Sequence, residues 1–447
     1  MPARTEPLDI LDDLLASAKR AGADAADAVL FESISISHAQ RLGKIEKLER
    51  SEGYDLGLRV LVGKRQAIVS SNDRSPQAVQ ELVGRALAMA RVVPEDPFVG
   101  LAEPDQIARD WPKLEMLDPD EPSAERLIER AKAAEEAARA VAGVTNSEGA
   151  EAGWSRSNVA LAATNGFRGA YGGSGHSVSV AVLAGEGTGM ERDYDFSSAV
   201  FGADLRSPEE VGRTAGERAV KRLGARKMPT AQVPVVFDPR VARGLVGHMI
   251  GSISGPSITR GTSFLKEKLG KPVFAEGITI VEDPHRRRGL RSKPFDGEGI
   301  ANKRRNIIEK GVLTTWLLDL RSARQLGMQS TGHAARGTSS PPSPAPTNLW
   351  VEPGKASPKE LMADIGSGFY VTELMGMGVN GVTGDYSRGA AGFWIEKGEL
   401  AFPVSEVTIA GNLKDMYLRL AAANDLEFKS GTDAPTLRVD GMTVAGA

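Results

Sequence analysis

A chain of 447 residues exceeds the size at which one hydrophobic core usually keeps growing, so two domains are the first expectation. Its 55 basic and 58 acidic side chains leave a formal charge of −3, which excludes the electrostatic footprint of a nucleic-acid or anionic-membrane binder. Cysteine is absent, which excludes disulfides and every site that needs a thiolate.

The opening residues, Met1 to Glu6, carry no apolar core of the signal-peptide type, and no stretch approaches the roughly 18 apolar residues of a membrane span. A cytoplasmic protein is expected. Leu8, Leu11, Leu14, Leu15 and Ala18 then share one helical stripe, with Gly22 suited to the C-terminal cap. Val29 to His38, Leu42 to Leu48 and Tyr54 to Ser70 alternate apolar and polar residues and read as an antiparallel meander with a turn at Gly63. Two helices follow at about 76–93 and 122–141.

Asn165-Gly166 suits a two-residue hairpin turn between Val159-Ala160-Leu161 and the segment from Phe167 to Leu183, which predicts a second antiparallel sheet region. Ser207-Pro208-Glu209-Glu210 predicts a helix start with a capping box, and the helix ends near Gly224. The basic, proline-containing linker Ala225 to Val233 places a domain boundary there. The fold class expected is α+β in two domains: residues 1–226 as antiparallel sheet with helices, and 232–447 as a β-rich domain.

Glycine, at 50 residues, is enriched, as suits short strands, tight turns and close backbone approaches in the second half. Asp238-Pro239 starts one helix there, Ser357-Pro358-Lys359-Glu360 caps another, and Leu413 to Ala423 can form a third. Short strands are expected at Thr279 to Glu282, Val312 to Leu318, Gly392 to Lys397 and Glu406 to Ile409.

Little in the residues announces chemistry. His38, His176, His248, His285 and His333 form no local metal-binding pair, so a zinc site would need distant segments, for example Glu282 or Asp283 joining His285. Gly251-Ser252-Ile253-Ser254-Gly255 lacks the central serine spacing of a nucleophile elbow and reads as a helix end. The run His285 to Lys293 could grip phosphate or carboxylate through arginine, but reads as a solvated charged loop. Gly172-Gly173-Ser174-Gly175 and the stretch Gly384 to Gly389 lack the ending of a phosphate loop and read as turns, the second lining a groove.

One set of blocks carries a resemblance. Gly244-Leu-Val-Gly-His-Met-Ile-Gly-Ser-Ile-Ser-Gly255, Gly261-Thr-Ser-Phe264, Phe295-Asp-Gly-Glu-Gly299, Ser322-Ala-Arg-Gln-Leu-Gly-Met328 with Ser330-Thr-Gly-His333, and Thr383-Gly-Asp-Tyr-Ser-Arg-Gly-Ala-Ala-Gly-Phe-Trp-Ile-Glu-Lys-Gly398 with Phe402-Pro-Val resemble the TldD/PmbA family. The match covers most of the chain and is strongest from about 230 onward. The resemblance implies a metallopeptidase setting. The catalytic, TldD-like branch carries a His-Glu-x-x-x-His helix and a cysteine as metal ligands, and the PmbA (TldE) branch pairs with it.

Counted back from Gly261-Thr262-Ser263, the two histidines and the glutamate of that branch fall here on Val246, Gly251 and Gly247, none of which can ligate a metal or act as base. The expectation is therefore a non-catalytic subunit of the PmbA branch. It would bind no cofactor itself, pair as a heterodimer with a zinc-bearing TldD-like subunit, and admit unfolded peptides in extended form. A homodimer of the chain alone is compatible with the same surface. By block position the peptide-channel candidates are His248, His333, Asp385, Tyr386, Ser387 and Arg388. Two alternatives stay open: an independent metallopeptidase with a rearranged site using His248, His285 and His333, and a regulatory binding protein without proteolytic activity.

Overall fold

The computed structural model describes residues 6–73 and 75–446, so Met1 to Thr5, most of the stretch read for a signal sequence, lies outside it. Helix α1 (Pro7–Arg20) carries the predicted stripe, with Leu11, Leu14, Leu15 and Ala18 buried. It leads into β1 (Ala25–Arg41), β2 (Lys44–Val62) and β3 (Arg65–Ser71), reversed at Gly43 and Gly63, both in the left-handed region that glycine tolerates. The break expected between Leu48 and Tyr54 does not occur, because β1 gives β2 an antiparallel partner along its whole length. Helices α2 (Pro76–Val92) and α3 (Ala124–Arg139) start at the side-chain caps Ser75 and Ser123.

Strands β4 (Val144–Ala163) and β5 (Arg168–Ala184) form the expected hairpin, but through four residues of which Gly166 alone takes a positive φ. Then come β6 (Glu191–Ala199) and α4 (Pro208–Lys221). Ser207 caps α4, yet Glu210 reaches Arg206 instead of closing a capping box. The second sheet region is not separate. β4 pairs with β1, and the strands run β3-β2-β1-β4-β5-β6 in one antiparallel sheet. The Gly172–Gly175 cluster lies inside β5 rather than in a turn, where its missing side chains let the backbone at Met116 cross and accept from Ser174 N at 2.8 Å.

Alternation splits this sheet into two faces. On one, Ala28, Leu30, Leu58 and Ala160 pack beneath α1 and α2, while Ile36, Trp154, Val178 and Val180 pack beneath α3 and α4. Gly212 and Gly216 let α4 lie close on α3: a methyl group at Gly212 would stand 2.2 Å from the Ala134 carbonyl oxygen.

The second half begins with β7 (Ala231–Phe237), α5 (Pro239–Ile253) and α6 (Gly255–Thr259). An irregular stretch follows with β8 (Ile280–Asp283), β9 (Arg305–Glu309), β10 (Val312–Leu313), α7 (Leu320–Gln325), β11 (Ala334–Ala335), β12 (Ser343–Pro344) and β13 (Asn348–Val351). The chain closes with α8 (Pro358–Met362), β14 (Ser367–Met375), β15 (Asp385–Glu396), β16 (Glu399–Asn412), α9 (Leu413–Leu418), β17 (Leu420–Ala422), β18 (Thr432–Asp433) and β19 (Leu437–Ala445). Strands β16-β15-β14-β7-β19 are neighbours in order, and β19 pairs back onto β16 at Thr408–Ala445, so the five close into a barrel with β17 on its flank.

Three local expectations change here. The strand read at Val312 to Leu318 stops at Leu313, because Leu317 leaves to exchange backbone bonds with Ile253 and Gly255. The helix read at Leu413 to Ala423 ends at Leu418, because Leu420 to Ala422 pair with β19. Only Gly384 turns in the Gly384–Gly389 stretch, since β15 begins at Asp385.

The second face of the N-terminal sheet receives the C-terminal half. Phe295 enters edge-on among Trp111, Phe167 and Tyr171, at centroid distances of 4.8, 4.9 and 5.5 Å. Asp27 of β1 accepts from Arg59 Nε at 2.8 Å and from Arg336 of the C-terminal half. The run His285 to Lys293, read as a solvated charged loop, leaves Arg287, Arg288 and Arg291 exposed, and its arginines also reach partners elsewhere in the chain. Arg287 and Arg288 bond Glu115, Arg288 also pairs with Asp204 over the Phe201 ring, and Arg286 lies 3.8 Å from the centroid of Phe428.

Candidate functional site

Helix α5 starts where Asp238 caps the Arg240 N–H at 2.9 Å and Pro239 occupies the first turn. Ala242, Leu245, Val246, Met249 and Ile253 then face the barrel core. The opposite face is almost bare: a methyl group on Gly244, Gly247 or Gly251 would meet no atom within 4 Å. His248 is the side chain that shares this glycine face by helical spacing.

The structure separates the three positions onto which the sequence count places the catalytic branch's two histidines and glutamate. Val246, 2% exposed, points into the core, whereas Gly247 and Gly251 are open to solvent. None bears a donor atom. A catalytic zinc needs about three protein ligands and a water, and among the described residues no three of His, Cys, Asp and Glu gather to hold a metal. The residues present do not fit one.

Strand β15 divides the next candidates by its alternation. Tyr386 is buried and meets the His248 ring edge-on at 6.0 Å, with no hydrogen-bond partner for its hydroxyl among the described residues. Arg388, on the same side, donates its Nε to the Met375 carbonyl at 3.1 Å. Burial, reinforced by the Arg388 charge, holds the His248 imidazole below its usual range, so it is neutral near pH 7. Asp385 and Ser387 turn outward. Asp385 accepts from Thr383 at 2.5 Å and from Asn412 at 3.0 Å, bonds that lower its carboxyl.

His333 joins none of these. It is 3% exposed, bonds Thr331 through Nδ1 at 2.7 Å and bonds Glu282 of the five-stranded sheet β10-β9-β8-β13-β18 through Nε2. Glu282 also accepts from Thr347. His285 bonds Asn302 at 2.8 Å, His176 lies 3.1 Å from Asp118, and His38 lies 3.3 Å from Gln40. The histidines thus occupy five separate settings, and His248, His285 and His333 do not converge.

Two groups of residues escaped the sequence reading. Asp296 and Glu298, inside the Phe295–Gly299 block, are buried carboxyls. Burial raises Glu298 to about 8 with Asp296 adding to it, and burial raises Asp296 to about 6 against the backbone N–H bonds it accepts from Ile300, Glu298 and Ala334. Arg240 and Arg243, in the first turns of α5, border a cavity of about 320 Å³ that also reaches Arg388. The signal for Arg243 was available, since it precedes Gly247 by four residues on a helix whose start was read correctly.

Comparison with known proteins places this geometry. Three family models match in order: PmbA/TldA metallopeptidase domain 1 over residues 26–90, the central domain over 117–223 and the C-terminal domain over 230–446. The metalloprotease PmbA of Escherichia coli is 41% identical over 435 residues, 97% of this chain and 94% of that protein. A candidate modulator of DNA gyrase from Bacteroides thetaiotaomicron superposes with a TM-score of 0.91 at 27% identity, over 99% of this chain and 100% of that one. TldE from Thermococcus kodakarensis shares the fold, with a TM-score of 0.86 at 23% identity over 97% and 99% of the two chains.

Proposed function

Because this chain belongs to the PmbA/TldD metallopeptidase family, we propose that it acts in peptide hydrolysis as the subunit that does not hold the metal. It pairs with a zinc-bearing TldD-like subunit and shapes the chamber in which unfolded peptides are cleaved. The carrying observation is the make-up of α5: valine turned into the core and glycine twice on the open face, at the positions where a catalytic relative needs two histidines and a glutamate. The bare face has a use in this reading. An extended peptide approaches a helix surface without side chains more closely than any other, beside the neutral imidazole of His248 and the guanidinium of Arg388.

The test is to purify the chain and measure zinc by elemental analysis and cleavage of an unstructured peptide, alone and mixed with a TldD-like subunit. Zinc and cleavage confined to the mixture and its catalytic member support the proposal. Stoichiometric zinc with turnover by this chain alone overturns it.

A further inference from the structure

The cavity beside the first turns of α5 holds an uneven set of charges. Arg222 is met by Glu191 at 3.2 Å and Glu373 at 2.6 Å. Arg240 is met by Asp193 at 2.6 Å and Asp238 at 3.3 Å. Every carboxylate in the lining is therefore already engaged. Arg243 and Arg388 border the same cavity and form no ion pair among the described residues, Arg388 using only its Nε, on a backbone carbonyl. Gly244 lies in the wall next to them, one helical turn from His248, so the cavity opens directly onto the glycine face of α5.

We propose that this cavity is a subsite for the C-terminal α-carboxylate of an extended peptide, gripped by the guanidinium groups of Arg243 and Arg388 while the peptide runs along the glycine face of α5. A guanidinium matches a carboxylate through paired N–H donors, and two unpaired cations across one small space favour a single anion. The volume, about 320 Å³, accommodates a terminal residue or two rather than a folded segment. The inference rests on the peptide-handling reading above and adds to it a fixed polarity: the bound peptide ends at the Arg243 end of α5.

The probes are three fluorescein-labelled heptapeptides of glycine, alanine and serine, read by fluorescence anisotropy with the full chain. One has a free C-terminal acid, one a C-terminal amide, and one a C-terminal amide with glutamate as the last residue. The acid is expected to bind about tenfold more tightly than either amide. The double variant Arg243→Gln, Arg388→Gln is expected to bind all three equally weakly with unchanged circular dichroism. Equal binding of the acid and the plain amide to the unmodified chain overturns the subsite, as does a glutamate amide that binds like the acid. That comparison stands even where the double variant fails to fold. If the unmodified chain binds none of the three, the peptide-handling reading itself falls.

Discussion

Asp27 on β1 and Arg336 from the C-terminal half form an ion pair from which water is almost excluded, with side-chain exposures of 4% and 2%. Arg59, from β2, completes the cluster on the other carboxylate oxygen. The cluster ties the N-terminal sheet to the rest of the molecule through charges that form no other ion pair among the described residues.

Removing the shared anion leaves two buried guanidinium groups facing each other. Asp27→Asn is expected to cost about 3–5 kcal/mol in urea denaturation at pH 7. Burial alone would raise the Asp27 carboxyl, but Arg336 and Arg59 outweigh it and hold it below its usual value. Its contribution is thus present above the unfolded carboxyl range near pH 4 and is lost as pH falls through the lower folded value. The deficit of the variant should shrink in strong acid, and a deficit under 1 kcal/mol at pH 7 would show that the cluster does not join the halves.

Glu298 works in the opposite sense. Burial, with Asp296 beside it, raises its carboxyl to about 8, so the folded state prefers it protonated. The stability it contributes is full below the unfolded value near pH 4 and is lost as pH rises through about 8. Glu298→Gln keeps an acceptor for the Leu320 N–H and removes the titration. In thermal unfolding followed across pH 5 to 9, the variant is expected to flatten the decline between pH 5 and 8 and to exceed the parent by about 1 kcal/mol above pH 8. Parallel profiles would place the titration elsewhere.

The glycines of α5 serve access rather than fit. Gly247→Ala and Gly251→Ala fill open space in a helix interior, so each is expected to stabilise the chain by about 0.5–1 kcal/mol in chemical denaturation. The same variants should weaken binding of the free-acid heptapeptide. Val246→His is expected to destabilise by about 2 kcal/mol or more, because the imidazole enters the barrel core.

Gly212 is the contrasting case, a glycine required by packing. A methyl group there collides with the Ala134 carbonyl, so Gly212→Ala is expected to cost about 1–3 kcal/mol by separating α3 from α4. A neutral result would mean that the helices slide apart without loss of core contact.

Much of the N-terminal half was legible because its signals are local. The Leu8 to Ala18 stripe, the Ser207 cap and the glycine turns at Gly63 and Gly166 each act within a few residues. The failures arise where a partner distant in sequence overrides composition. Gly172 to Gly175 looks like a turn until β4 pairs with it and the Met116 backbone crosses it, and Leu420 to Ala422 looks helical until β19 offers a ladder. The His285 to Lys293 run keeps Arg287 and Arg288 exposed, as its charge suggests, but its partners Glu115, Asp204, Phe201 and Phe428 come from elsewhere in the chain. Of the site candidates, His248, Tyr386 and Arg388 meet, while His333, Asp385 and Ser387 do not join them, because strand alternation and a buried carboxylate direct those side chains elsewhere.

The amino-acid sequence by itself determined the family, the α+β mixture and the absence of donor side chains at Val246, Gly247 and Gly251, because motif order, periodicity and residue chemistry are properties of the chain. Only the tertiary structure decided that one sheet spans the N-terminal half, that β19 closes a barrel onto β16, and that Arg243 and Arg388 border one cavity. Those relationships join residues tens to hundreds of positions apart, and their energies, strand ladders and buried charge among them, exist only once the chain has brought the partners together.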